Sequence, residues 1–211
     1  MLKVNEIFIS IQGEGLYIGR PSVFVRLTGC NLRCRWCDTE YAFEEGEEMS
    51  VEDVVARVES YGMEEVCITG GEPMLQDDVI SLMFQLIDRG YHIVLETNGS
   101  IALDEVPAED AVSIAMDIKC PSSGMEDRML FSNIELLGPG DFLKFVIADE
   151  KDYDYAMEIL ERYLPECEVV FTPVGGVDIK WLATRLIEER TRGIRVLPQL
   201  HKIIWGNERG R

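Results

Sequence analysis

A chain of 211 residues that is 46% hydrophobic and 28% charged has enough apolar material for one packed domain, and it contains no run of about 18 apolar residues that would cross a bilayer. Its 39 acidic against 20 basic residues leave a formal charge of −19, which opposes the phosphate backbone of nucleic acid and anionic membranes alike. The N-terminal MLKVNEIFISIQGEG alternates like a strand and lacks a small-residue cleavage site; with six Cys too sparse for a secreted disulfide scaffold, a cytoplasmic location is expected.

Residues 4–11 alternate as a first strand, Gln12-Gly13-Glu14-Gly15 makes the turn after it, and residues 22–27 form a second strand. An acidic loop containing Glu44, Glu45, Glu47 and Glu48 follows. Ser50, with Asp53 three residues on, opens a helix as a capping box. Its apolar stripe is Val51, Val54, Val55, Val58 and Tyr61, and Gly62 stops it. Strands and helices then alternate. Residues 65–69 read as a strand, and a helix capped by Asp77 runs to about Arg89 and stops at Gly90. Residues 92–97, 112–118 and 143–148 read as strands, 153–164 as a helix ended by Pro165, and 169–171 as a strand. Asp178 caps a helix to about Arg192, stopped by Gly193, and 195–200 is the last strand. Residues 100–111 and 121–140 have no clear period, and the second stretch has room for one short helix.

This rhythm predicts an α/β fold with a parallel sheet and right-handed crossovers. About six core strands are too few for an eight-fold barrel, so an open partial β/α barrel is expected. With no linker, repeat or low-complexity stretch, residues 1–211 read as a single domain with an N-terminal strand/turn extension.

The strongest chemical signal is Cys30-Asn-Leu-Arg-Cys34-Arg-Trp-Cys37. Thiolates suit both iron–sulfur clusters and zinc. Three thiolates can hold three irons of a cubane and leave the fourth open to a ligand, whereas a structural zinc site is closed by a fourth ligand. No Cys or His lies close by in sequence, because the next Cys is Cys67 and the His residues are His92 and His201. A zinc site completed by a distant Cys stays open on spacing alone. The isolated Cys67, Cys120 and Cys167 read as small core residues. Gly70-Gly71-Glu72-Pro73 follows a strand, where glycines admit close backbone approach to a ligand. Glu96-Thr97-Asn98-Gly99 also ends a strand, as do Asp117, Lys119, Thr172 and His201, so these side chains converge on one end of a barrel-like fold.

The Cys-x3-Cys-x-aromatic-Cys motif, with Trp36 at its aromatic position, resembles that of the radical S-adenosylmethionine (SAM) superfamily. The resemblance implies a 4Fe-4S cluster on Cys30, Cys34 and Cys37. Its open iron chelates the amino and carboxylate groups of SAM, which is then cleaved to a 5′-deoxyadenosyl radical; the cofactor carries the hard chemistry. It implies SAM contacts from Trp36, Gly70, Gly71, Glu72, Glu96, Asn98 and Lys119. Further features resemble the 7-carboxy-7-deazaguanine synthase family along nearly the whole chain: Gln12 to Gly15, Arg26 before the Cys loop, Asp38-Thr39 after it, and Gln199-Leu200-His201-Lys202-Ile203-Ile204-Trp205-Gly206 near the end. That family is made of carbon–nitrogen lyases that contract 6-carboxy-5,6,7,8-tetrahydropterin to 7-carboxy-7-deazaguanine with loss of ammonia, on the route to queuosine and archaeosine in tRNA.

The resemblance further implies magnesium at Thr39, with Asp38 acting through water, and a pterin site formed by Gln12, Gly13, Glu14, Gly15, Arg26, Thr69 and His201. Chemically, Gln12 and Glu14 suit the N–H edge of a pterin, and Arg26 suits a carboxylate. A flavodoxin or ferredoxin as electron donor and a homodimer are also implied. Two rivals share parts of the signal: an activase that draws hydrogen from a glycine of a partner enzyme, and a zinc-binding interaction scaffold.

Overall fold

The computed structural model describes residues Met1–Arg211. The elements are β1 (Leu2–Ile11), β2 (Pro21–Leu27), β3 (Glu47–Met49), α1 (Val51–Glu59), β4 (Glu65–Gly70), α2 (Val79–Ile87), β5 (His92–Thr97), β6 (Val112–Ile118), β7 (Phe142–Ile147), α3 (Glu150–Tyr163), β8 (Glu168–Pro173), α4 (Lys180–Glu189), β9 (Ile194–Val196) and α5 (Leu200–Trp205). They form one open sheet ordered β3-β1-β2-β4-β5-β6-β7-β8-β9. From β2 through β4 to β9 every pairing is parallel; β1 pairs antiparallel with both β2 and β3.

The open β/α architecture agrees with expectation, but the strand count does not. β2 joins the parallel set instead of standing apart, giving a nine-stranded sheet in place of about six core strands. The short β3 sits inside the acidic loop, where its exposed Glu47 and Glu48 mask any apolar alternation. The last strand ends at Val196 and not at Leu200. Pro198 has no N–H for a ladder, and the Leu200 N–H turns away to the Gly13 carbonyl at 2.8 Å as α5 begins. The 121–140 stretch holds three short 3-10 turns instead of one helix. They are held by buried Asn133, whose Oδ1 accepts from Leu103 N and whose Nδ2 donates to the Gly99 and Ile101 carbonyls.

The helix boundaries follow their caps. Ser50 Oγ accepts from Asp53 N at 3.0 Å, and the Asp53 carboxylate takes the Ser50 hydroxyl in return instead of a backbone N–H. α3 starts at Glu150, earlier than expected, because Asp149 Oδ1 accepts from Asp152 N at 3.0 Å. α2 and α4 begin two residues past Asp77 and Asp178; α2 has no side-chain N-cap bond, while Asp178 Oδ1 accepts from Lys180 N at 3.4 Å.

Period-two alternation sorts the strand residues between two faces. One set packs with α1 to α4 in the main core: Val23, Val25 and Leu27 of β2, Val66 and Ile68 of β4, Ile93 and Leu95 of β5, Met116 and Ile118 of β6, and Leu143, Phe145 and Ile147 of β7. The alternate residues face inward. Near the N-terminal ends of the strands they are apolar, with Val94, Ala115, Phe142 and Val170 forming a small second core with Leu16, Tyr17 and Leu197. Nearer the C-terminal ends the inner positions become Arg26, Thr69, Glu96, Asp117 and Lys144. Register sets Arg26 beside Thr69 and Asp117 beside Lys144.

Candidate active site

These inward polar residues open onto a cleft at the C-terminal ends of the parallel strands. Gln12, Gly13 and Glu14 border it from the β1–β2 turn, Cys30, Cys34, Trp36, Cys37, Asp38 and Thr39 from the loop after β2, and Gln199, His201 and Lys202 from the start of α5. Gly70, Gly71, Thr97, Asn98 and Lys119 complete its rim.

The cysteine loop is fastened by backbone bonds to the end of β4. Gly71 N donates to Leu27 O at 3.1 Å and Glu72 N to Gly29 O at 2.7 Å. Gly71 is required by this approach, since a Cβ there would lie 2.7 Å from the Cys30 Cβ and closer still to the Gly29 carbonyl. Asn98 Nδ2 donates to Asn31 Oδ1 at 3.1 Å and lies 3.9 Å from Cys30 Sγ. Burial pushes the Cys34 and Cys37 thiols up, and the Lys119 charge opposes this at both. Cys120 and Cys167 lie in the main core, while buried Cys67 lies on the inner face beneath Gln12 and Glu96. No group of three His, Cys, Asp or Glu side chains converges around a point as the ligands of one ion do. Three cysteines on one wall, each available to a different iron, fit a cubane cluster better than a mononuclear zinc site.

Glu72 does not face the cleft. It is fully buried and accepts from Asn98 N at 2.6 Å, Thr97 Oγ1 at 2.8 Å and Met74 N at 3.0 Å. Burial raises its carboxyl above the usual range against those three bonds. It therefore ties the end of β4 to the end of β5 and holds Asn98 in place. Gly15 is also off the cleft: it takes a positive φ of 65° against the Phe142 ring, where a Cβ would collide. Thr172 is off it too, buried on β8; the other residues expected to hold the cluster, SAM, magnesium or the pterin line the cleft.

The cleft floor is a charge network. Lys144 pairs with Glu14 and lies 3.4 Å from Asp117, which holds Lys119 at 2.9 Å. Burial disfavours the Lys144 ammonium, but Asp117 and then Glu14 oppose it and hold its pKa well above the ordinary value. Burial likewise opposes ionisation of Glu14, yet the Lys144 charge and hydrogen bond, with the Gln199 amide, leave its carboxyl below the usual range. Arg26 donates from Nε to Glu6 at 2.8 Å and lies over the Phe8 and Tyr41 rings. Gly13 admits the His201 ring, which would collide with any Cβ there. Burial lowers the His201 pKa and favours the neutral ring.

Two residues beyond those singled out matter here. Gln199 Nε2 donates to Glu14 Oε1 at 2.5 Å, and Lys202 Nζ pairs with Asp38 Oδ2 at 2.7 Å. Both stand in the Gln199–Gly206 motif, but only the fold shows which carboxylates they meet. Five Lys or Arg side chains line the cleft, namely Arg26, Lys119, Lys144, Lys202 and Arg211, against the four carboxyls of Glu14, Asp38, Glu96 and Asp117. The strongly acidic chain thus has a cleft without its acidic excess, where an anion can enter. Gln12 Nε2 and Asp117 Oδ1 are buried with no hydrogen-bond partner, the condition of groups that wait for a ligand.

Comparison with known proteins agrees with this geometry. The model of the radical SAM superfamily matches residues 24–177. A 7-carboxy-7-deazaguanine synthase of Thermoplasma acidophilum is 41% identical over 98% of this chain and 99% of its own length. One of Methanospirillum hungatei is 42% identical over 96% of this chain and 85% of its own. The fold matches the crystal structure of QueE from Escherichia coli with a TM-score of 0.75 at 24% identity, covering 93% of this chain and 94% of that one. No helix is long and apolar enough to cross a membrane. A cysteine triad at the mouth of an open parallel barrel, with relatives aligned from end to end, makes this chain a member of the radical SAM superfamily and, within it, of the 7-carboxy-7-deazaguanine synthase family.

Proposed function

We propose that this chain is a lyase that converts 6-carboxy-5,6,7,8-tetrahydropterin to 7-carboxy-7-deazaguanine with loss of ammonia, a step toward queuosine or archaeosine. The observation that carries the reading is one cleft joining two unlike ends. One end has three cysteines; the other has the buried, unpartnered amide of Gln12 beside Glu14, Arg26 and His201.

Cys30, Cys34 and Cys37 would each hold one iron of a 4Fe-4S cluster, leaving the fourth for SAM, and Trp36, Gly70, Gly71, Asn98 and Lys119 would line the SAM site. Bound together, cluster and SAM supply the carbon radical that opens the reaction. Glu72 contributes by fixing Asn98. On the substrate side, Gln12 and Glu14 suit the donor and acceptor edge of a pterin ring. Only Nε of the Arg26 guanidinium is engaged by Glu6, so its remaining N–H groups are free to bind the substrate carboxylate. Thr69 and neutral His201 complete the pocket, and the tight Gly13–His201 contact holds the imidazole at its edge. At the rim Thr39 and Asp38 carry the hard oxygens magnesium prefers. Lys202 already neutralises Asp38, which leaves Thr39 as the oxygen open to a magnesium ion. A flavodoxin or ferredoxin would feed the electron, and the active form would be a homodimer.

The test is anaerobic reconstitution with iron and sulfide, reduction, and turnover with SAM and the carboxypterin, with and without magnesium. The expected result is a brown protein that releases 7-carboxy-7-deazaguanine. A colourless zinc protein that leaves SAM intact would overturn the proposal.

A further inference from the structure

Of the four carboxyl groups lining the cleft, three have a lysine at ion-pair distance. Glu14 and Asp117 share Lys144, Asp117 also holds Lys119, and Asp38 holds Lys202. Glu96 has none. Its one side-chain hydrogen-bond partner is uncharged: the Thr69 hydroxyl, which donates to Oε2 at 3.0 Å. The remaining capacity of this carboxyl belongs to the cleft it lines.

The groups around it do not compensate. Glu14 approaches from the β1–β2 turn and Asp117 stands on β6, both as paired carboxylates. Arg26 on β2 gives Nε to Glu6 and keeps its other N–H groups for the substrate carboxylate, and Lys144 on β7 is paired with Glu14 and Asp117. Cys67 on β4 is a fully buried thiol. A buried carboxyl beside two carboxylates whose cations are already taken is the one that keeps its proton. Burial raises the Glu96 pKa first of all; Lys144 opposes this, Glu14 adds to it, Thr69 and Arg26 oppose it, and the carboxyl stays above its ordinary value. Glu14 and Glu96 are thus neighbouring carboxyls driven in opposite directions, the arrangement that separates an anion from an acid. The resemblance puts Glu96 with SAM, but its surroundings are those of the pterin side.

We propose that Glu96 is the acid of the ring contraction: a neutral carboxylic acid that delivers its proton to the amine nitrogen that leaves as ammonia. This rests on the function proposed above. In that step the C–N bond breaks with its electron pair passing to nitrogen, and the Glu96 proton completes ammonia. A proton lost from the neighbouring carbon to water leaves its pair as the new ring double bond. Glu96 is left as the carboxylate and regains a proton from solvent, so no oxidant or reductant is consumed.

The test compares reconstituted wild type with Glu96→Gln and Glu96→Asp, using a pterin deuterated at C6. Two steps are read separately: appearance of the label in SAM, and release of ammonia and product. A positioned acid is worth roughly 100-fold or more, so Glu96→Gln is expected to lose about that factor in product while still labelling SAM. Its KM should stay within about threefold of wild type, because the lost interaction belongs to the transition state. Glu96→Asp should recover part of the rate. Wild-type turnover should fall as pH rises through the Glu96 pKa, and the residual rate of Glu96→Gln should not.

Product formation by Glu96→Gln close to wild type, or loss of labelling together with product, would overturn the assignment. The second outcome would make Glu96 a binding or folding residue. Failure of wild type itself to release 7-carboxy-7-deazaguanine would instead sink the function on which the assignment rests.

Discussion

Lys144 is paired with Glu14 and lies 3.4 Å from Asp117, and replacing it with Met tests the electrostatics of the site without any cofactor. Its side chain is 13% exposed and that of Glu14 is 14%, so solvent screens the pair little. Breaking a buried ion pair by removing one partner costs about 3–5 kcal/mol, because a charge is left buried and alone. For a chain of this size each kcal/mol moves the melting temperature by roughly 2–4 °C, so Lys144→Met should melt on the order of 10 °C lower at pH 7.

The pH dependence fixes the cause. In the wild type the Glu14 carboxyl is held below its ordinary value of 4.5, so its contribution to stability is present above that pH and fades as pH falls through the depressed value. In Lys144→Met the same buried carboxyl has lost its cation. Its pKa rises, and its penalty is felt above that raised value and relieved by protonation below it. The gap between the two proteins should therefore be widest near neutrality and shrink on acidification. Adding Glu14→Gln to Lys144→Met should recover part of the loss, since the two residues are in contact and their effects do not add. Thermal melts of the metal-free protein by circular dichroism under reducing conditions, from neutral to acidic pH, measure this. A Lys144→Met protein as stable as wild type at pH 7, or a gap that does not change with pH, would refute the reasoning.

Gly71→Ala drives a methyl group into the Gly29 carbonyl and the Cys30 Cβ; iron content and visible absorbance after reconstitution should fall well below wild type even where the protein still folds. Gly13→Ala forces the His201 ring aside, so KM for the pterin should rise while SAM cleavage in its absence persists. Asp152 is fully buried and accepts from Ser122 N at 2.8 Å and Ala148 N at 3.0 Å. Hydrogen bonds to a charged group are worth about 1.5–3 kcal/mol each, so Asp152→Ala should cost roughly 3 kcal/mol in denaturant titration.

The sequence by itself determined the alternation of strand and helix and the cysteine triad. Both are local: strand faces follow from period two, the α1 start follows from Ser50, and three thiols within one loop are neighbours whatever the rest of the chain does. Position at strand ends also foretold that the cysteine loop, Gly70-Gly71, Glu96, Asn98, Asp117 and Lys119 would gather, since a parallel sheet brings all its C-terminal edges to one side. Pairing was not legible. That Lys144 meets Glu14, Lys202 meets Asp38 and Glu96 meets no cation depends on separations of up to 164 residues along the chain, as for Asp38 and Lys202. Composition and motif carry no term for such distances. The withdrawal of the Glu72 side chain from the cleft onto Asn98, Thr97 and Met74, and the turn of Leu200 out of the sheet into α5, were likewise decided by tertiary packing. In both cases a buried backbone N–H or C=O had to find a partner, and the fold chose which.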